Sequence, residues 1–292
     1  MDRDQAQAAT ALNEGRAYAD LSDWHKVLVR GSDSRKWLND LLTADIDNLT
    51  TGASRRSLLL SPTGRIRAAV TVASIEEGLH LFQEPAQPSA IDTLLAPYVL
   101  SSDVELIDVS DSKTLLAFPG TEPPQLAGGE AIYPSCLGRG ADVVLSRTLE
   151  WTSQELEGLT RAGPEALETW RIDRGIPKFP IDLTPESLPH EAGLDSAIDY
   201  GKGCYLGQEA VAKVRNLGHP TWLVLSMRSD AAVTANDPVM GDGEVVGRVT
   251  SAASVDGHTA VIARIRWSAR EMTLTTPSGT TLQPSGIAST PA

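Results

Sequence analysis

The sequence predicts an α+β protein built in more than one part, and three observations carry that expectation. The chain has 292 residues, enough for one large domain or two to three small ones with a real core. Up to about residue 217, β-branched strand-like runs are interleaved with stretches whose apolar residues recur at helical spacing. Beyond residue 218 only short apolar runs separated by Gly/Asp turns remain, the pattern of a small barrel or sandwich.

The elements follow in order. The first 15 or so residues read as a frayed end. "WHKVLVRG" (24–31) has the β-branched content of a strand closed by glycine. Ser32 or Asp33 is placed to cap a helix whose Trp37, Leu38, Leu41 and Leu42 share one face. "RRSLLL" and "RIRAAVTVASI" flank "SPTG", where Pro62 and Gly64 suit a type I turn, so the pair reads as a hairpin; "LHLF" adds a third strand. "PSAIDTLLAPYVL" (88–100) reads as a helix packed on that meander. "VELIDV", "TLLAF" and "DVVLSR" suggest a second small sheet. "SQELEGLTRAG" and "PEALETWRIDRG" read as successive helices, the latter with Pro164 early and Gly175 just past its end. A helical run then ends near Leu217, and no repeat occurs at solenoid periods.

Composition removes several functions. Hydrophobic residues at 41 % and charged residues at 22 % match ordinary globular usage, so the chain should fold. A formal net charge of -13 disfavours broad contact with phosphate backbones, and direct nucleic-acid binding is not expected. No run of about 18 apolar residues occurs, so no membrane-spanning helix is expected. The opening "MDRDQAQAATALNEG" lacks the marks of a signal or transit peptide, and a cytoplasmic location is expected. Cys136 and Cys204 are too few for a disulfide framework and are expected as thiols.

The stretch with most chemistry is "GKGCYLGQE" (201–209), which packs three glycines, a lysine and Cys204 into nine positions. One reading makes it a tight turn with Cys204 as a small buried hydrophobe. The other notes Lys202 two residues away and a helix start just behind, both of which favour thiolate over thiol. The glycine spacing fits neither G-x-G-x-x-G nor a P-loop. The five histidines, His25, His80, His190, His219 and His258, share no ligand spacing, so no metal site is expected from this chain alone. Two cysteines cannot enclose an iron–sulfur cluster, which normally takes four thiolates; a partner would have to supply the rest. A cysteine hydrolase would need a histidine folded against Cys204, for which His190 and His219 are available but unplaced.

The segment from Arg171 to Pro220 resembles the signature region of the YgfZ-type folate-binding proteins, with hallmark K-G-C-[YF]-x-G-Q-E. Lys202, Gly203, Cys204, Tyr205, Gly207, Gln208 and Glu209 fit every position. "WLNDLLTADIDNL" (37–49) and "SPTGRIRAAVTV" (61–72) look like the same family's early helix and hairpin, so the similarity runs from about residue 22 to the end. That family is similar in fold to the aminomethyltransferase, or T-protein, of the glycine cleavage system. The resemblance implies a T-protein-like folate-binding region with an intertwined, ferredoxin-like subdomain and a small C-terminal β-barrel. It also implies a central cavity for tetrahydrofolate or a derivative, and a role in iron–sulfur cluster assembly or repair, notably for enzymes that thiomethylate tRNA.

The expected division is a flexible 1–20, a folate-binding α+β region over 21–217, in which 106–164 is inserted between 21–105 and 165–217, and a barrel over 218–292. Cys204 is expected to act as a reactive thiolate whose pKa Lys202 and the neighbouring backbone lower. The resemblance places Arg171, Asp173, Tyr205, Gly203, Gly207, Gln208 and Glu209 at the folate and motif site, with Asp173 standing where T-proteins commonly carry a glutamate against the pterin ring. One departure bears on activity: where aminomethyltransferases carry a paired acid after the hairpin glycine, this chain has Ala68 and Ala69. Neither alanine can hold an amine or move a proton, so a conventional enzyme is not expected. Iron–sulfur assembly or client proteins are the expected partners, and a tetrahydrofolate-dependent aminomethyl or one-carbon transferase is the alternative.

Overall fold

A computed structural model of the chain describes residues 3–147 and 156–285. Its elements begin with helix α1 (Arg3–Asn13) and strand β1 (Ala17–Asp20), where the sequence suggested fraying. The difference has a simple cause: Ala8, Ala9, Ala11 and Leu12 give α1 a small-residue face that buries against Ala166 and Trp170 of helix α4 (Pro164–Asp173). Alanine carries little hydropathy signal, yet it lets two helices approach closely.

Strands β2 (His25–Arg30), β3 (Ser54–Leu60), β4 (Ile66–Ile75), β5 (Gly78–Gln83) and β6 (Glu105–Asp108) form an antiparallel sheet in the order β3-β4-β5-β2-β6. Helix α2 (Ser34–Leu41) lays Trp37, Leu38 and Leu41 on it, and the short helix α3 (Ile91–Leu95) adds Ile91 and Leu95. Each fully buried leucine there is worth about 1.5–3 kcal/mol. Two expectations change here. Asp33 occupies the N-cap of α2 but makes no side-chain cap; its carboxylate instead accepts the Asp103 N–H at 2.8 Å, while Asp103 accepts the Ser32 N–H and hydroxyl. The 88–100 helix is only the five residues of α3 followed by a 3₁₀ turn at Ala96–Tyr98, because Pro97 supplies no N–H.

The second sheet, β10-β1-β7-β9-β8, consists of β1 with β7 (Lys113–Phe118), β8 (Gly129–Pro134), β9 (Ala141–Ser146) and β10 (Thr160–Ala162). Its strands are antiparallel except that β1 and β10 run parallel. The helix suggested for 153–163 lies partly outside the described residues, and its described part is a turn followed by β10. "VELIDV" contributes β6 to the first sheet rather than a strand to this one, since Val27 to Arg30 pair with Asp108 to Glu105.

Helix α5 (Gln208–Leu217) leads into the third sheet. Strands β11 (Trp222–Ser229), β12 (Pro238–Gly241), β13 (Glu244–Val255), β14 (His258–Arg266), β15 (Leu274–Thr275) and β16 (Gln283–Pro284) order as β15-β12-β13-β14-β11-β16 and curl into a nearly closed barrel. A register shift between Val249 and Ser251 gives β13 the bend that such curling needs. Val239, Val249, Val261, Ala263 and Ile265 fill its interior. No described helix is long and apolar enough to cross a membrane.

Candidate functional site

The signature loop is pinned at several points. The Asp199 carboxylate accepts the Gly201 and Lys202 N–H groups at 2.7 and 3.1 Å. The Lys202 ammonium donates to the carbonyls of Asn39, Leu42 and Ala44 at 2.6, 2.8 and 2.7 Å. Asn39 lies in the last turn of α2, Leu42 is its C-cap and Ala44 follows just beyond, so the lysine caps the helix end and fixes the chain leaving it, from 160 residues away in sequence. Burial pushes its pKa down to about 8, against the upward pull of Asp45, Asp40, Asp47 and Asp199. Tyr205 is buried with Leu58, Leu60 and Ile66, and its hydroxyl is pushed up to about 12 by burial. Its ring lies 5.5 Å from the Lys202 ammonium.

Gly207 has φ +84°, and a Cβ there would sit 2.5 Å from the Ser61 carbonyl oxygen. The start of α5 thus rests directly on the β3–β4 turn, which explains that glycine by close packing. Gly203 has open space around it. Gln208 is half-buried and Glu209 exposed on the first turn of α5.

Cys204 projects from this anchored loop and is exposed, so the reading of it as a buried hydrophobe fails. It borders a shallow groove lined by Lys36, Asn39, Asp40, Leu41 and Asp47. The Lys202 ammonium that the sequence suggested as the thiol's cation has its donors committed to carbonyls. Lys36, held by Asp40 at 2.6 Å, is the lysine that shares the groove with Cys204.

A second site lies between the first two sheets and α4: a cavity of about 630 Å³. Its apolar wall includes Trp24, Leu167 and Pro177, and its polar lining includes Arg56, Glu84, Glu168 and Lys178. Three buried polar atoms of its lining residues make no hydrogen bond: Gln5 Oε1, Glu84 Oε2 and Trp170 Nε1. The Glu84 oxygen has only a 3.5 Å ion-pair contact with Lys178. Leaving such a group without a partner costs about 1–3 kcal/mol each, a cost that a bound ligand would remove. Burial pushes Glu168 up, but the hydrogen bond and charge of Arg171, with Lys178, outweigh it and hold the carboxyl below its ordinary value. Cys136 closes one end, its thiol pushed well up by burial and by the Asp142 carboxylate.

Arg171 lines the cavity with its guanidinium already bonded within the protein, whereas Asp173 lies outside the lining. Arg171 is 6 % exposed, and its guanidinium donates to Glu168, to Asp182 at 2.8 Å, to the Ile176 carbonyl at 2.9 Å and to Ser251 at 2.9 Å. It ties α4 to the barrel. Asp173 is not in the cavity lining; it meets Asn13 at 3.4 Å and His258 at 3.6 Å. The acids that do line the cavity are Asp20, Asp23, Glu84, just past β5, and Glu168, one turn before Arg171. Glu168 carried a sequence signal, since residues three apart on a helix face one another. Ala68 is fully buried, and the Ala69 backbone is bonded on both sides by the Gln87 amide at 2.9 and 2.7 Å, so the hairpin strand offers no carboxylate at those two positions. Among the described residues no three His, Cys, Asp or Glu side chains lie close enough to hold a metal ion.

Comparison with known proteins agrees with this architecture. Residues 1–127 match the family model described as the GCVT N-terminal domain. A putative chloroplastic transferase of Arabidopsis thaliana is 25% identical over 274 residues, covering 84% of this chain; the chain spans 63% of that relative's length. The tRNA-modifying protein YgfZ of Aliivibrio fischeri is 26% identical over 270 residues, covering 84% of this chain and 83% of the relative. The aminomethyltransferase of Rippkaea orientalis is 23% identical, covering 80% and 73%. The crystal structure of the glycine cleavage aminomethyltransferase T of Bartonella henselae superposes with a TM-score of 0.79 at 19% identity, covering 97% of this chain and 89% of that one. The signature loop, the three-sheet fold and these relatives together make the chain similar to the YgfZ-type proteins, on the fold of the glycine cleavage T-protein.

Proposed function

We propose that this protein binds a reduced folate in its central cavity and, through Cys204, supports the assembly or repair of iron–sulfur clusters in enzymes that modify tRNA. The observation that carries the reading is the exposed thiol on a loop clamped by Lys202: a cysteine kept only for packing would be buried, and a rigid exposed one is suited to a partner. With two cysteines in the chain, the remaining ligands of any cluster belong to that partner.

The cavity fits a pterin in chemistry. A pterin edge alternates N–H donors with acceptors, and the wall presents the unpaired Glu84 oxygen as acceptor and the unpaired Trp170 N–H as donor beside apolar surface. Bound there, a reduced folate would supply a carrier for one-carbon units. The aminomethyltransferases and the tRNA-modifying protein among the relatives support a folate site and a link to tRNA modification.

Cells carrying Cys204→Ser test the thiol, with activity of a tRNA-thiomethylating iron–sulfur enzyme as readout and a thermal melt of the purified variant as control. Activity should fall with the melt unchanged; unchanged activity with an unchanged melt would leave Cys204 without the proposed role. Equilibrium dialysis against 5-formyltetrahydrofolate tests the cavity, and Glu84→Gln should weaken binding. The Glu84 oxygen also favours a second reading, a folate-dependent one-carbon transferase that uses this acid in place of the missing pair. Tetrahydrofolate-dependent turnover of N-methyl or glycine-derived substrates, lost in Glu84→Gln, would establish it.

A further inference from the structure

An arginine-lined groove of about 620 Å³ opens on the surface beside the central cavity. Arg56, on β3, lines both, and therefore stands where one passes into the other. Arg55 and Arg139 line the groove further out. In a chain of net charge -13, three arginines around one concavity need an explanation.

Their neighbours do not neutralise them. Arg56 is half-buried and Arg139 exposed, and among the described residues neither has a carboxylate within ion-pair distance or a side-chain hydrogen bond. Arg55 donates to the Asp45 carbonyl and reaches Asp199 only at 4.0 Å. The two acids in the groove are occupied elsewhere: Asp45 with the Asn48 amide and N–H, and Asp199 with the N–H groups of Gly201 and Lys202. A half-buried guanidinium without a partner carries a desolvation cost that an incoming carboxylate would offset.

We propose that this groove holds the γ-linked polyglutamate chain of a folate whose ring occupies the central cavity, with Arg56 meeting the first carboxylate and Arg139 and Arg55 those that follow. The inference rests on the folate reading of the cavity and specifies the form of the ligand. Each added glutamate brings one carboxylate, which matches a row of guanidinium groups leading outward. The overall negative charge of the protein works against binding of a polyanion that lacks the ring.

Tryptophan fluorescence quenching by 5-formyltetrahydropteroyl mono- and pentaglutamate tests it on the full chain. The pentaglutamate should bind roughly tenfold tighter at low salt, the scale of several half-exposed ion pairs acting together. The advantage should shrink as salt rises. Arg139→Gln, at an exposed position that does not disturb the fold, should reduce it while monoglutamate binding persists, whereas Arg56→Gln, at the mouth of the cavity, should weaken both ligands. Equal affinity for the two ligands would overturn the groove assignment and leave the cavity reading standing. An advantage untouched by Arg139→Gln would overturn it as well. Failure of both ligands to bind would overturn the two readings together.

Discussion

The replacement of Asp182 by alanine is the sharpest test of how the parts of this molecule are held around its cavity. Asp182 is fully buried and its two oxygens accept four hydrogen bonds: from Arg171 Nη1 and the Lys178 N–H, both at 2.8 Å, and from the hydroxyls of Thr250 at 2.6 Å and Ser251 at 2.7 Å. One carboxylate therefore joins α4, the 178–183 turn and β13 of the barrel. Removing it leaves the buried Arg171 guanidinium with Glu168 as its one remaining ion-pair partner among the described residues. Breaking one side of a buried pair costs about 3–5 kcal/mol, a large share of the 5–15 kcal/mol that a folded domain typically has. The isosteric Asp182→Asn keeps an acceptor for Arg171 and should cost less, about 1.5–3 kcal/mol, the worth of one charge-assisted hydrogen bond. Urea unfolding at pH 7, followed by tryptophan fluorescence, reads both. A loss below about 1 kcal/mol for the alanine variant would refute the claim that this network binds barrel to body.

Three further outcomes are expected. Lys202→Met leaves three carbonyls at and just beyond the α2 terminus without their donor and should cost about 2–3 kcal/mol in urea unfolding; an unchanged midpoint would mean that the lysine does not clamp the loop. Gly207→Ala forces a Cβ to 2.5 Å from the Ser61 oxygen at positive φ and should cost roughly 3 kcal/mol, readable as a lower thermal midpoint. Burial raises the Asp142 pKa from 3.8 to about 6, so the folded state holds the proton more tightly and gains stability as pH falls from 6 toward 4, by about 3 kcal/mol. His80, pushed down by burial to about 4, works the other way and loses stability over the interval from 6.5 to 4. Asp142→Asn removes only the first effect, and its unfolding free energy should fall more steeply than the wild type's from pH 6 to 4; parallel curves would contradict the assignment.

Much of the architecture was legible because local chemistry decides it. The hairpin around Gly64, the helix from Pro164 and the run of barrel strands after Trp222 are written in turn residues, helix-end residues and alternating apolar positions. Helix α1 was not, because its buried face is alanine, and β10 was not, because a three-residue strand has too few positions to show a period. At the site, the cysteine motif was evident from its spacing, while the exposure of Cys204 was not. The partners of Lys202 were not: they are backbone carbonyls, which exist at every residue and leave no trace in sequence.

The sequence by itself determined the fold class, the signature loop with Cys204, and the loss of the paired acid at Ala68 and Ala69, since each depends on residue identity at neighbouring positions. Only the tertiary structure decided that Lys202 serves α2, that Arg171 is tied into a buried ionic network while Asp173 stays outside the cavity, and that Glu84, Trp170 and Arg56 face it. Those assignments depend on which distant side chains share a low-dielectric space, and contacts across 80 or more residues are set by the packing of whole elements.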